Sequence, residues 1–188
     1  MKTRLNTLLA LAPAAVAALT SLPAQAAPVY FLQLSGIEGE SIQKGHEKWI
    51  EVQSWSFGAT AESSWTKGGG ASVGKPAPAP CAITATLSKV SPELYRRICS
   101  GQAIDTVTLA ATKTTSKGNS EDFYTIKLEG VFLTSVKTGG SPTDGGLPSE
   151  SVNLVFKTAT WGYKPQDTKG NLGSAITASW NVATGAVK

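Results

Sequence analysis

The only histidine of the chain lies among side chains that could carry out general acid/base chemistry. His46 follows Gly45 and has Glu40 and Glu47 nearby, within the segment SGIEGESIQKGHEKWIEVQSWSFG. Such chemistry requires a partly buried base that titrates near neutral pH. His46 instead falls in a glycine-flanked polar turn between two predicted strands, where we expect it to be solvated. The sequence marks neither a nucleophile elbow nor an aspartate partner for it. We therefore predict turn geometry here rather than catalysis.

A glycine-rich segment resembles a phosphate-binding loop but lacks its essential parts. Residues 68–75 read GGGASVGK, and Pro76 stands where a phosphate loop has Ser or Thr before a helix. Across residues 67–80, glycines favour flexibility and prolines favour an extended path. A segment this long within a compact domain is typical of a functional or disordered loop. The sequence predicts a loop without phosphate binding.

Two cysteines, Cys81 and Cys99, are the only thiols of the chain. In an exported chain, an even number of cysteines favours one disulfide. That bond would stabilise the fold by about 3 kcal/mol in the chain-entropy model. Two buried free thiols are the alternative. Together with the single histidine they make a poor zinc site, and no metal or cofactor is predicted.

Five tryptophans raise the question of a sugar-binding platform. Trp49, Trp55, Trp161 and Trp180 lie in or beside predicted strands, where aromatic side chains are ordinary packing residues. Trp65 adjoins the long loop and is the one candidate for stacking on a carbohydrate. Structural packing is the favoured interpretation for the others.

Strand patterns dominate the elements that must position these residues. The clearest alternation lies in residues 123–132, where Tyr124, Ile126 and Leu128 share one face. Further strands are predicted in residues 30–34, 50–55, 81–87, 107–111, 152–156 and 176–182.

One segment has helical rather than strand character. Ser91 is predicted as the side-chain N-cap, Pro92 as the first helical residue and Glu93 as an acid in the first turn, and Gly101 stands where a helix would end. One short helix among seven or eight strands predicts a mainly β fold, a closed or nearly closed barrel with the helix at one side.

The first 26 residues have the features of a secretory signal. A basic start at Lys2 and Arg4 precedes an apolar stretch, and Ala24-Gln25-Ala26 supplies a small-x-small cleavage site. An uncleaved anchor is the alternative, although prolines make the stretch too poor to span a bilayer. We predict a signal peptide at 1–26, one domain at 27–188, and export to the periplasm or beyond.

The charge of the chain argues against a nucleic-acid partner. Removal of residues 1–26 takes away two basic side chains, so the net charge falls from +4 to +2. No Lys/Arg cluster of the kind that follows phosphates is present. We expect neither a nucleic-acid partner nor membrane association after cleavage.

Several motifs, taken in order, resemble the haemolysin-coregulated protein (Hcp) family, the tube proteins of the bacterial type VI secretion system. They are YFLQLSGIEGES, GHEKWIEVQSWSFG, GGGASVGK, LSKVSPELYRRICSGQ, DFYTIKLEGVFLTSVKTGG, ESVNLVFKTATWGY and SWNVATG, and they span residues 29–184. Each motif is weak alone, but the ordered set is specific.

The resemblance implies a β-barrel of two antiparallel sheets with one flanking helix, and a structural protein rather than an enzyme. It also implies hexameric rings that stack into a hollow tube, with a spike protein and small effectors as partners. The helix at 91–102 would lie on the flank of the ring. The ring-stacking loop would include Trp65, Lys67, Gly68, Gly69, Gly70, Gly74 and Lys75.

Two features depart from the family pattern. Tube subunits of the family carry no cleaved signal, and here the proline-rich KPAPAPCAITATLSK replaces the usual acidic and aromatic residues before the helix. These departures keep a second hypothesis open: an exported, monomeric barrel that binds a glycan or an envelope protein through Trp65 and the loop.

Overall fold

The structure, a computed structural model, describes residues 27–66, 70–116, 118–141 and 146–188. The predicted signal peptide and residues Lys67, Gly68 and Gly69 of the predicted loop lie outside the described residues. In the described ranges the chain forms the following elements: β1 (Val29–Leu34), β2 (Ile50–Ser56), β3 (Ala59–Thr60), β4 (Ser63–Thr66), β5 (Gly70–Val73), β6 (Ala77–Pro78), β7 (Cys81–Thr86), α1 (Ser91–Ser100), β8 (Ile104–Thr114), β9 (Ser120–Gly139), β10 (Ser149–Val155), β11 (Thr158–Tyr163) and β12 (Ile176–Asn181).

Eight of the strands form one antiparallel sheet that closes on itself. Their order is β10-β7-β2-β1-β8-β9-β11-β12, and β9 also pairs with β10. This extra pairing makes a ring of six strands, from which β11 and β12 continue beside β9. Closure pairs the edges that an open sheet would expose. The predicted mainly β, antiparallel fold with one helix is confirmed, and its long strands form one continuous sheet where the resemblance implied two.

The longest strand, β9, changes its pairing partner from β11 to β10 at Gly130. Its first half pairs with β8 and β11, and its second half pairs with β10. Gly130 has a φ of 63°, a left-handed conformation that glycine adopts without steric cost. A Cβ at this position would lie 3.1 Å from the Cβ of Lys157. Glycine therefore lets one strand serve two walls of the barrel.

The barrel interior is filled by apolar side chains that alternate along the strands. In β7 the buried residues are Cys81, Ile83 and Ala85, and β10 buries Val152 and Leu154 in the same way. Burial of one large aliphatic side chain stabilises a fold by about 1.5–3 kcal/mol. The period of two thus determines which face of each strand lies inside.

Helix α1 begins and ends where the sequence predicts. Pro92 lies in its first turn, and Gly101, with a φ of 64°, follows its last residue. The prediction that Ser91 is a side-chain N-cap is wrong, because Val90 holds that position and makes no side-chain cap. The Ser91 hydroxyl oxygen instead accepts a hydrogen bond from the Ser88 N–H at 3.1 Å.

The helix packs against the second half of β9. Leu94 is buried in the barrel core, and the hydroxyls of Tyr95 and Thr138 lie 3.1 Å apart. Glu93 pairs with Arg96 and Arg97 on the outer face of the helix. The apolar stripe therefore faces the barrel, whereas Arg96 is exposed and Glu93 and Arg97 are half-buried.

Candidate functional site

The predicted loop is for the most part a two-stranded hairpin, which we call the arm (residues 58–79). Its base is formed by β3 and β6 and its outer part by β4 and β5. Two further main-chain bonds join its sides: the Gly74 N–H donates to the Glu62 carbonyl at 2.7 Å, and the Ala79 N–H to the Gly58 carbonyl at 2.8 Å. The predicted flexible segment 67–80 therefore contains, in its described part, the two short strands β5 and β6. Cross-strand main-chain bonds supply the order that side-chain burial does not.

The predicted stacking residues fall on the outer part of the arm. Trp65 lies in β4 opposite Ala71, and Gly70 lies in β5 opposite Thr66. Gly74 follows β5, and a Cβ there would lie 3.3 Å from the Glu62 carbonyl oxygen. Glycine therefore allows the two sides of the arm to approach closely. Of the other predicted stacking residues, Lys75 is exposed, and Lys67, Gly68 and Gly69 lie outside the described residues.

Both edges of the arm are open in the described part of the chain. Strands β3, β4, β5 and β6 pair with one another and with no strand of the barrel. Residues 59–64 and 72–77 are all exposed. An unpaired strand edge presents N–H and C=O groups that can pair with another chain. The arm is therefore suited to main-chain contacts with a partner.

A second segment, the strap (residues 35–49), folds over the outside of the barrel. It is closed by main-chain bonds, among them Ser41 N–H to the Trp49 carbonyl at 3.0 Å and Lys48 N–H to the Ser41 carbonyl at 2.8 Å. A Cβ at Gly39 would collide with the Trp49 carbonyl. Glycine is therefore required there for close approach of the two sides.

His46 attaches the strap to the barrel wall. The imidazole is 5% exposed, stacks on Phe31 with 4.4 Å between ring centroids, and meets Trp49 edge-on at 4.8 Å. Its Nε2 lies 2.9 Å from Oδ1 of Asp122. That contact has ion-pair distance without hydrogen-bond geometry, because Asp122 Oδ1 has no hydrogen-bond partner among the described residues. The other ring nitrogen, His46 Nδ1, also has no hydrogen-bond partner in that part of the chain.

The expectation that His46 is solvated is therefore wrong, whereas its interpretation as a structural residue is supported. A histidine beside a carboxylate is one part of a catalytic triad. In the described residues, however, the contacts of the ring are aromatic rings and one carboxylate, with no hydroxyl or thiol nucleophile. Glu40 accepts a bond from the Lys89 N–H, and Glu47 accepts one from the Gly45 N–H. These contacts hold loops in place.

Four tryptophans take part in packing. Trp55 stacks on Tyr124 with 5.8 Å between centroids, Trp161 meets Phe57 edge-on at 5.5 Å, and Trp180 is buried. With Trp49 of the strap, these rings fill the barrel and its wall and form no exposed platform. The side chain of Trp65 lies outside the described part of the structure, and its role in carbohydrate stacking stays a prediction.

The predicted disulfide is absent. Cys81 and Cys99 are both free thiols. Cys81 is buried at the start of β7, whereas Cys99 is exposed on α1, so the two side chains lie in different environments. Burial raises the pKa of the Cys81 thiol to about 11. The physical reason for the failed prediction is that the alternation of β7 directs Cys81 into the barrel, away from the face that carries Cys99.

One buried acid has no counterpart in the sequence predictions. Glu150 is 2% exposed and lies on the same inward face of β10 as Val152 and Leu154. Its position in the sequence could have identified it. Glu150 lies two residues before Val152, and alternate residues of a strand point to the same face of the sheet.

Other kinds of site are not evident within the ranges described. No group of three or more His, Cys, Asp or Glu side chains that could hold a metal occurs among the described residues. Across those same residues, no helix is both long and apolar enough to cross a membrane.

Comparison with known proteins assigns a family to this architecture. Residues 31–163 match the family model described as "Type VI secretion system effector, Hcp". The chain belongs to the Hcp family. Among curated proteins it is similar to the protein hcp1 of Pseudomonas aeruginosa, with 31% identity over 153 residues that cover 81% of this chain and 93% of the relative. It is also similar to the major exported protein of the same organism, with 25% identity over 138 residues and coverage of 71% and 79%.

Solved structures place the fold in the same Hcp family. A type six secretion system protein superposes with a TM-score of 0.81 and 27% identity, covering 86% of this chain and all of that one. Hcp1 from Salmonella typhimurium gives a TM-score of 0.72 and 26% identity, covering 87% of this chain and all of that one. The sequence resemblance to the Hcp family is thus confirmed.

Proposed function

We propose that this Hcp chain is a non-catalytic tube subunit that closes into hexameric rings, and that the rings stack into a hollow tube. A spike protein and small effectors would be its partners. The observation that carries the proposal is the combination of a closed barrel with an exposed arm whose two edges are unpaired. Closure leaves the six strands of the ring without free edges, so the separate edges of the arm offer a controlled contact between rings.

The arm offers particular main-chain groups to the next ring. The Gly74 N–H bonds to the Glu62 carbonyl, so these two residues form a hydrogen-bonded pair. In an antiparallel ribbon such pairs alternate with pairs whose N–H and C=O groups point outward. Ser63 and Val73 form the next pair and therefore direct their main-chain groups toward a neighbour.

The composition of the arm suits this kind of recognition. In its described part, Glu62 and Lys75 are the charged residues, and the remainder is mostly Ser, Thr, Ala, Gly and Pro. Small side chains allow two backbones to approach within hydrogen-bonding distance. We infer that stacking depends on main-chain pairing more than on ion pairs.

We also propose that residues 1–26 are a cleaved signal peptide and that rings form after export, in the periplasm or outside the cell. The predicted export is compatible with the name of one relative, the major exported protein. Export by a signal peptide would distinguish this chain from tube subunits that leave the cell only through the secretion machine.

The decisive experiment compares the native chain with a variant that loses one outward N–H of the arm. Val73 is 71% exposed, and Val73→Pro removes its N–H without removing a bond within the arm. Val73→Thr is the matched control, because it retains the N–H and the β-branched shape.

Native mass spectrometry and negative-stain imaging should show hexameric rings for all three proteins. We expect stacked rings for the native chain and Val73→Thr, and single rings for Val73→Pro. Equal stacking by the proline variant would refute main-chain pairing by the arm. A monomer at high micromolar concentration would refute the ring itself and favour the monomeric binding module.

A further inference from the structure

Among the described residues, one carboxyl group lies in the apolar interior of the barrel, at the end where α1 packs. Glu150 lies between Ala85 of β7 and Thr138 of β9 in the sheet register. It lines a small internal cavity whose other lining residues are all apolar: Leu32, Leu34, Ile50, Ile83, Ala85, Leu94 and Val152. Since Leu94 belongs to α1, the carboxyl lies directly at the contact between helix and barrel.

The hydrogen bonding of this carboxyl is incomplete. Ser91, in the first turn of α1, favours the ionised form of this carboxyl and so lowers its pKa, while the Ser91 hydroxyl oxygen accepts a hydrogen bond from the Ser88 N–H. The second carboxyl oxygen, Oε2, is buried with no hydrogen-bond partner among the described residues. An ionised carboxylate in such a place is strongly disfavoured, whereas the protonated acid is tolerated. Burial raises the pKa of Glu150, and the Ser91 hydrogen bond opposes this only in part.

No positive charge compensates the carboxyl within the described residues. The charged groups on the surrounding elements pair with one another or lie exposed on outer faces, and none forms an ion pair with Glu150. They are Glu93, Arg96 and Arg97 of α1, Glu40 and Lys89 beside its start, Glu51 of β2 and Lys137 of β9.

We propose that Glu150 is a proton-controlled latch between helix α1 and the barrel. With Glu150 protonated, the helix start packs on a neutral interior; when Glu150 ionises, the contact with α1 weakens. The ligand of the latch is a proton, and its consequence is a subunit whose helix is held more firmly in mildly acidic than in alkaline surroundings.

The direction of the pH dependence follows from linkage. An acid whose pKa is higher in the folded than in the unfolded chain binds more protons in the folded state. The contribution of protonated Glu150 to stability is complete below its pKa in the unfolded chain, which is near the ordinary 4.5. It is lost as the pH rises through the pKa of Glu150 in the folded chain. One such proton changes the unfolding constant by at most about tenfold per pH unit.

The test compares urea unfolding of the purified chain and of Glu150→Gln from pH 4.5 to pH 9. Glutamine keeps the shape and cannot ionise, so we expect the fall in stability with rising pH to be smaller by up to about tenfold in unfolding constant per pH unit. Glu51→Gln, an exposed position on β2, is the control and should follow the native profile. Identical profiles for the native chain and Glu150→Gln would overturn the proposal.

A second set of measurements uses the native chain, so the test does not require that Glu150→Gln folds. Hydrogen exchange of residues 91–100 in the native chain, corrected for intrinsic rates, should show protection lost at alkaline pH before the core strands lose theirs. Carbon-13 NMR of the Glu150 carboxyl should show a titration above pH 4.5. A carboxyl that titrates at or below that value would refute the latch, as would protection of α1 that does not change with pH.

Discussion

Replacement of His46 by alanine tests whether the strap is a structural clamp. The imidazole is 5% exposed and makes two aromatic contacts, 4.4 Å from Phe31 and 4.8 Å from Trp49. Aromatic contacts of this kind contribute about 1 kcal/mol each, and the cavity left by the buried imidazole costs about 1 kcal/mol more. We therefore expect His46→Ala to lower the free energy of unfolding by about 3 kcal/mol.

The assay is urea unfolding followed by tryptophan fluorescence, with circular dichroism as an independent probe. A loss of this size corresponds to a decrease of about 6–12 °C in Tm for a domain of this length. Lys44→Ala is the matched control, since Lys44 is exposed in the same turn, and it should change stability by less than about 0.5 kcal/mol. Equal effects of the two substitutions would refute the clamp.

Two further predictions concern Gly130 of β9 and the thiols. Gly130→Ala should destabilise the fold by about 1–3 kcal/mol, because alanine is strained at a φ of 63° and would crowd Lys157. In thermal unfolding, Gly139→Ala, which meets no atom within 4 Å, should show a much smaller effect; equal losses would exclude the local conformation of Gly130 as the cause. Alkylation of the native chain should label Cys99 alone, and denaturation should expose Cys81 to a second label. A denatured, unreduced protein that takes no label and weighs two hydrogens less would instead indicate the disulfide.

Much of the fold follows from local patterns in the sequence. Alternation in β9 and β10 identifies their inward faces, and the proline and glycine that bound α1 fix its position. These patterns are local, so they can be read without knowledge of which strands pair. Closure of the barrel depends on the pairing of β9 with both β10 and β11, and the role of Gly130 between these two pairings appears only when the partners are known.

The errors share a physical cause. His46 has polar and glycine neighbours in sequence, but its burial comes from Phe31 of β1 and Asp122 of β9. The arm has few apolar side chains, yet cross-strand main-chain bonds order it. Contacts between residues distant in sequence decide both the burial of His46 and the order of the arm. Local composition carries no information about such contacts.

The course of β9 through the molecule has a mechanical consequence. This one strand is bonded to β8, β10 and β11 and packed against α1, so its neighbours come from both earlier and later parts of the chain. Loss of β8, β10 or β11 would leave main-chain N–H and C=O groups of β9 without hydrogen-bond partners. We therefore expect the strands around β9 to unfold together, in one cooperative transition, when the chain is placed under mechanical load.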